Sequence, residues 1–206
     1  KSGLYDTLRS IVDKNVNDNG MPVDLWQSTT GITRNWQFLG DLQPYMLNFL
    51  ENHDEQRFAS EFFGRDGHNT YAPLYASLFL NTAPFMIYFG EEVGEAGMDE
   101  EGFSGRDGRT TIFDWWSVGS VRRLRKAIAS KAYEDLKVSK LTAAGMKKEE
   151  AEIFCRFAQA VRLAAADTAI SMGTTYDLCY CNMSSDGFDK NRHFAFLRDY
   201  EEHTLL

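Results

Sequence analysis

Chemistry-bearing residues crowd into one stretch, Leu47-Asn48-Phe49-Leu50-Glu51-Asn52-His53-Asp54-Glu55-Gln56-Arg57. It opens apolar, with Met46, Leu47, Phe49 and Leu50, as a buried parallel strand does, and turns polar at once from Glu51 to Glu55. A buried strand that delivers a His53-Asp54 pair from its carboxyl end suits a barrel-type active site. There the strand fixes the backbone and the reacting groups emerge from its tip. The same residues also suit a strand that runs into an ordinary acidic turn, because Asn and Asp favour turns. On its own, the stretch does not choose between the two.

The elements around it bear on that choice. Tyr71, Leu74, Tyr75, Leu78 and Phe79 recur at helical spacing and read as a core-facing helix. Pro84-Phe85-Met86-Ile87-Tyr88-Phe89 reads as a second apolar strand, ended by Gly90, Glu91 and Glu92. Strand, helix and strand in that order form a βαβ unit, which requires a parallel sheet. Both strands finish in carboxylates, so acidic groups gather at one face of that sheet. Residues 94–116 form a long glycine-rich, charged loop with a cluster of Arg106, Asp107 and Arg109, and loops of this length are usually functional or disordered.

Elsewhere the chain is plainer. Residues 2–13 read as an amphipathic helix (Leu4, Leu8, Ile11, Val12), and residues 55–63 as a short helix start. Trp26 and Trp36 bracket a polar segment, where a ring can cap a core or stack on a sugar. Val121, Leu124, Ala127 and Ile128 open a further helix whose Arg122, Arg123, Arg125 and Lys126 form a solvated face. Beyond Gly145 a long helix carries Phe154, Phe157, Ala158, Val161 and Ala165 inward. From Tyr176 the pattern alternates (Tyr176, Leu178, Tyr180), then passes a turn-rich segment to Phe194, Phe196 and Leu197, as a β-hairpin does.

Composition bounds the function. The 206 residues are 43% hydrophobic and 14% aromatic, enough for a real core, and carry a net charge of −8. That balance argues against a nucleic-acid binder, which needs a basic face for phosphates. No apolar run approaches the roughly 20 residues of a membrane span, and no signal peptide is visible ahead of the opening helix. Cys155, Cys179 and Cys181 lack zinc spacing and read as packing residues. The acidic run Asp99-Glu100-Glu101-Gly102 invites calcium but lacks the alternating ligands of an EF-hand, so no metal is assigned and no cofactor is implied.

Phe49-Leu50-Glu51-Asn52-His53-Asp54 resembles the seventh-strand motif of the α-amylase superfamily of glycoside hydrolases. Thr82-Ala83-Pro84-Phe85-Met86-Ile87-Tyr88-Phe89-Gly90-Glu91-Glu92 is similar to that family's eighth-strand region, a Pro followed by an apolar run and Gly-x-Glu. The loop Gly105-Arg106-Asp107-Gly108-Arg109-Thr110 looks like the segment that follows it. The resemblance spans essentially the whole chain in the right order. It implies an α/β fold: residues 1–175 would be the last βα units of a (β/α)8 TIM barrel, and residues 176–206 the start of an antiparallel C-terminal β domain. On this reading the chain is cut at both ends, and its open barrel edges would be covered in a homo-oligomer. The localisation of the parent protein is left open.

The resemblance also implies roles. Asp54 would be the third essential carboxylate, binding sugar hydroxyls beside the reacting carbon, with His53 hydrogen-bonding the same sugar. Asn52, Arg57, Glu92, Arg106 and Asp107 would line or support the substrate site. The partner would be an α-glucan or related oligosaccharide. Retaining members also need a nucleophilic Asp in a Gly-x-Arg-x-Asp signature and an acid/base Glu, and neither motif is present. Gly105-Arg106-Asp107 is only an echo of the first, with no strand before it. The parent is therefore expected to be a retaining glycosidase and this chain alone inactive. A non-catalytic carbohydrate-binding or interaction protein that kept the barrel pattern is the alternative.

Overall fold

A computed structural model describes residues 8–9, 32–80, 82–97, 107–113, 118–189 and 193–206, without the side chains of 33–36. The expected helix over 2–13 and the rings of Trp26 and Trp36 therefore lie outside the described residues, save for a helical Leu8 and Arg9. The fold is mixed α/β, with small parallel and antiparallel sheets and no barrel among the described residues. No described helix is long and apolar enough to cross a membrane. The chain divides into two units, one of Lys1–Asn48, Ala72–Met86 and Leu163–Leu206, the other of Phe49–Tyr71 and Ile87–Arg162.

In the first unit, α1 (Ile32–Leu39) runs into a 3₁₀ turn (Gly40–Tyr45). β1 (Asn48–Phe49) then pairs with β2 (Phe85–Met86), and the Asn48 N–H donates to the Pro84 carbonyl at 2.8 Å. α2 (Tyr71–Phe79) joins them. Strand, helix and strand thus follow in the expected order, but each strand pairs over two residues only. The chain leaves the ladder after Met86 because the Tyr88 N–H turns to the Glu91 carboxylate at 3.1 Å.

Three further strands, β3 (Thr174–Asp177), β4 (Phe196–Tyr200) and β5 (His203–Leu205), form an antiparallel sheet in that order. Their register pairs Thr174 with Asp199 and Arg198 with Leu205. The expected hairpin is thus real, but its first arm stops at Asp177. The Asp177 carboxylate accepts the Cys179 N–H at 2.7 Å and starts a helical turn, α7 (Cys179–Asn182), in place of continued strand. Cys179 is buried and Cys181 exposed, so of this pair only Cys179 packs.

The short helix α6 (Thr168–Met172) packs on β4 and β5. Asp167 caps it, with Oδ1 accepting the N–H groups of Ala169 and Ile170 while Oδ2 meets His203 Nε2 at 3.0 Å. Gly173 follows, where a Cβ would come within 2.2 Å of the Ala169 carbonyl oxygen, so only glycine lets β3 start there.

The second unit is helical. α3 (Gly119–Ala129), α4 (Val138–Ala143) and the part of α5 (Lys148–Ala166) up to Arg162 enclose a core of Val93, Leu124, Ala127, Leu141, Met146, Ala151 and Cys155. Arg123 is not part of a purely solvated face: it forms a two-pronged ion pair with Glu150 in the first turn of α5. The buried stripe of α5 runs through Ala151, Ile153, Cys155, Phe157 and Ala160, whereas Val161 and Ala165 face outward. Residues 55–63 form turns and no helix, because the Phe58 N–H is drawn to the Glu51 carboxylate.

Candidate functional site

The second unit holds the residues that follow β1. Glu51 turns inward, its Oε2 accepting from Arg57 Nη1 at 2.6 Å and its Oε1 from the Phe58 N–H at 2.7 Å. Arg57 is fully buried, and the rest of its fork is engaged as well. Nε donates to Thr110 Oγ1 at 3.1 Å and Nη2 to the Phe89 carbonyl at 2.7 Å, with the Tyr88 ring centre 4.6 Å from the guanidinium. A charge pair this deep holds because both Glu51 oxygens and all three guanidinium nitrogens are engaged.

That pair is the floor beneath the next three residues. Asn52 Oδ1 accepts the N–H groups of Asp54 at 2.8 Å and Glu55 at 2.9 Å, closing an Asx turn. The turn presents His53 and Asp54 to solvent, 53% and 75% exposed, with His53 Nε2 3.4 Å from Asp54 Oδ2. Two neighbouring groups, one an acceptor and one able to donate, can therefore meet adjacent hydroxyls of a ligand.

Acids cluster after β2. Gly90, at φ +90°, starts a 3₁₀ turn (Glu91–Val93) that sends Glu91 inward. Burial first, and then the charge of Glu51, push the Glu91 carboxyl well above its ordinary value. Its Oε2 accepts from Tyr88 N, while Oε1 has no partner among the described residues. Burial also raises Glu92, whose Oε2 accepts the Gly90 N–H at 2.8 Å, and Glu95, which is hydrogen-bonded by the Ser120 hydroxyl. Burial thus works against the charged form of all three carboxyls.

The described part of the long loop docks on the same segment. The Arg57 N–H donates to the Gly108 carbonyl at 2.7 Å, Gln56 Nε2 to the Asp107 carbonyl at 3.1 Å and the Tyr88 hydroxyl to the Thr110 carbonyl at 2.8 Å. Asp107 grips Arg109 through Nε at 2.8 Å and Nη2 at 2.6 Å. Burial works upward on the Asp107 carboxyl, but the bonds from Arg109 outweigh it and hold it below its usual range. Arg109 is held protonated chiefly by Asp107, with Asp54 and Glu55 adding to the effect.

Of the residues singled out from sequence, then, His53 and Asp54 stand exposed at a strand end, above Asn52 and Arg57 as supports. Glu92 is half-buried beside Gly90, Asp107 lies in the clasp with Arg109, and Arg106 lies outside the described residues. Glu91 and Tyr88 were given no role by motif spacing. Glu91 and Glu92 are adjacent acids, and it is the backbone turn at Gly90 that decides which one goes inside.

One group has metal-like spacing: Asp66, His68 and Glu149 offer atoms within 4.8 Å of one another. Both His68 nitrogens already face carboxylates, Asp66 at 2.6 Å and Glu152 at 3.3 Å. Burial lowers the His68 pKa, but these acids outweigh it and raise it, as ion pairs to an imidazole do. The trio is therefore better described as an ion-pair cluster.

No family model, no curated protein and no solved structure matches the chain.

Proposed function

We propose that this chain belongs to an α-amylase-type glycosidase acting on α-glucans or related oligosaccharides, and that it supplies the sugar-holding part of the site. One observation carries the reading: Asn52 presents His53 and Asp54 side by side at the carboxyl end of β1, next to a buried Glu51–Arg57 pair. Asp54 accepts from sugar hydroxyls beside the reacting carbon and His53 meets the same ring. These contacts strengthen as the ring flattens toward an oxocarbenium ion, and so they lower the barrier. The parallel β1–β2 pair and the acid-rich turn after β2 accord with the last units of a (β/α)8 barrel. The beginning of a β domain accords with β3–β5.

Retaining hydrolysis needs two carboxyl groups about 5–5.5 Å apart, one to attack and one to protonate the leaving oxygen. The nucleophile signature is missing from the sequence. The chain alone is therefore expected to hold sugar without cleaving it. This same observation favours the second reading, a carbohydrate-binding protein without turnover. A chromogenic maltooligosaccharide assay and an oligosaccharide-binding titration, run on the intact parent protein and on its Asp54→Asn variant, separate the readings. Turnover lost in Asp54→Asn marks the glycosidase, and oligosaccharide binding without turnover marks the binding protein. Neither binding nor turnover would end both.

A further inference from the structure

The first unit contains a cleft of about 500 Å³, lined among others by Asp41, Gln43, Tyr45, Thr174, Thr175 and Arg198. Arg198, on β4, is only 2% exposed. Its Nε donates to the Ala169 carbonyl at 3.1 Å, Nη2 to the Ile170 carbonyl at 2.5 Å and Nη1 to the Thr175 hydroxyl. All three acceptors are neutral, and among the described residues no carboxylate pairs with the guanidinium. Burial lowers the Arg198 pKa to about 10, which leaves it charged at neutral pH. A guanidinium has five N–H groups, so each Nη keeps one that meets no partner among the described residues.

The second observation is independent of the first. Gln43 Nε2 is buried and has no hydrogen-bond partner among the described residues, although it lines the same cleft. Capping the last carbonyls of α6 accounts for two of the Arg198 bonds. It does not account for an amide donor left unpaired nearby, which destabilises the fold if nothing ever meets it.

We propose that this cleft binds a small polyhydroxylated carboxylate, of the size and kind of a sugar acid. The carboxylate would take the spare N–H groups of Arg198 and Gln43. Ligand hydroxyls would meet Asp41 and Thr174, both exposed, and the carbon skeleton would lie against Tyr45, which is 82% exposed. The volume falls in the range of small-ligand sites, roughly 300–1,000 Å³. A bare phosphate fits less well, because it lacks the ligand's array of hydroxyls to donate to Asp41 and has no carbon skeleton to lie against Tyr45.

Calorimetric titration of the whole chain with sodium glucuronate, glucose and inorganic phosphate tests this. Glucuronate is expected to bind saturably, with glucose and phosphate each at least about tenfold weaker, as for one lost charge-assisted contact. Gln43→Leu is expected to weaken glucuronate about tenfold while leaving the melting temperature unchanged or raised, since it removes an unpaired buried amide. Arg198→Met is expected to abolish binding, and if it fails to fold, Gln43→Leu and the three-ligand comparison decide. Absence of saturable glucuronate binding, phosphate binding as tight as glucuronate, or a Gln43→Leu chain that binds normally would each overturn the proposal.

Discussion

Arg57 and Glu51 form an ion pair at 2.6 Å in which the two side chains are 0% and 2% exposed. Six residues apart, they tie the end of β1 to the far side of the turn that carries His53 and Asp54. The turn is therefore closed by Asn52 and held at its base by a charge pair.

Removing one partner should be far worse than removing both. Arg57→Met leaves Glu51 charged and buried, a loss of about 3–5 kcal/mol, while the double variant Glu51→Leu/Arg57→Met recovers much of it. Urea denaturation of the three chains checks this. Equal losses for the single and double variants would mean that the pair is not the support described.

Stability should fall as pH rises through the Glu91 titration. Burial raises the folded-state pKa of Glu91, so above its ordinary value of 4.5 the folded chain keeps a proton that the unfolded chain releases. The stabilisation is fully present below 4.5 and is lost progressively upward from there. Glu91→Gln should melt at a higher temperature than the parent at about pH 7.5 and show a smaller drop from about pH 5. A parent whose melting temperature rises over that interval, with no difference from Glu91→Gln, would contradict the raised titration of the buried Glu91 carboxyl.

Gly67 and Gly94 meet under Ile153. A Cβ on Gly67 would stand 2.5 Å from Ile153 Cδ1 and 3.0 Å from the Gly94 Cα. Gly67→Ala should cost about 1–3 kcal/mol as an overpacked contact, and Ile153→Val, which deletes that Cδ1, should recover part of the loss. Gly94→Ala meets the same methyl but also sits at φ +66°, so Ile153→Val should rescue it less. Thermal melts of the single and paired variants distinguish the two.

The Arg123–Glu150 pair fixes the start of α5 on α3, and the Lys147 N–H also donates to Glu150 Oε2 at 3.0 Å. Glu150→Gln should destabilise by about 1–2 kcal/mol, less than a fully buried pair because Arg123 is 31% exposed. Burial pushes the Glu150 carboxyl up, but Arg123 and the Lys147 N–H outweigh it and hold it below 4.5. The contribution is therefore present above 4.5 and fades as pH falls through the lower folded value. The gap between parent and Glu150→Gln should accordingly close in acid, as denaturation at neutral and acid pH would reveal.

Helical spacing gave away the helices and little else. Leu124 and Ala127 on α3 and Phe157 on α5 lie inside where a 3.6-residue period puts them. Strand lengths were not legible, because pairing at β2 ends where the Glu91 carboxylate competes for the Tyr88 N–H. Asp177 diverts β3 into a helical turn in the same way. The strand-end placement of His53 and Asp54 was readable from the switch from apolar to polar residues at Glu51. Which acid goes inside was not, since Glu51 and Glu55 are chemically alike. Arg198 gave no signal at all, because a charged residue on a strand normally marks its outward face.

The three free cysteines give the molecule a way to report its own opening. Cys181 is exposed and should react with a thiol reagent at once, whereas Cys155 and Cys179 can react only when the structure around them breathes. Cys155 belongs to the helical unit and Cys179 to the unit with the antiparallel sheet. With Cys181 replaced by serine, two slow labelling rates would remain, each timing the fluctuations of one unit. Their ratio would show whether the two halves unfold as one body or independently.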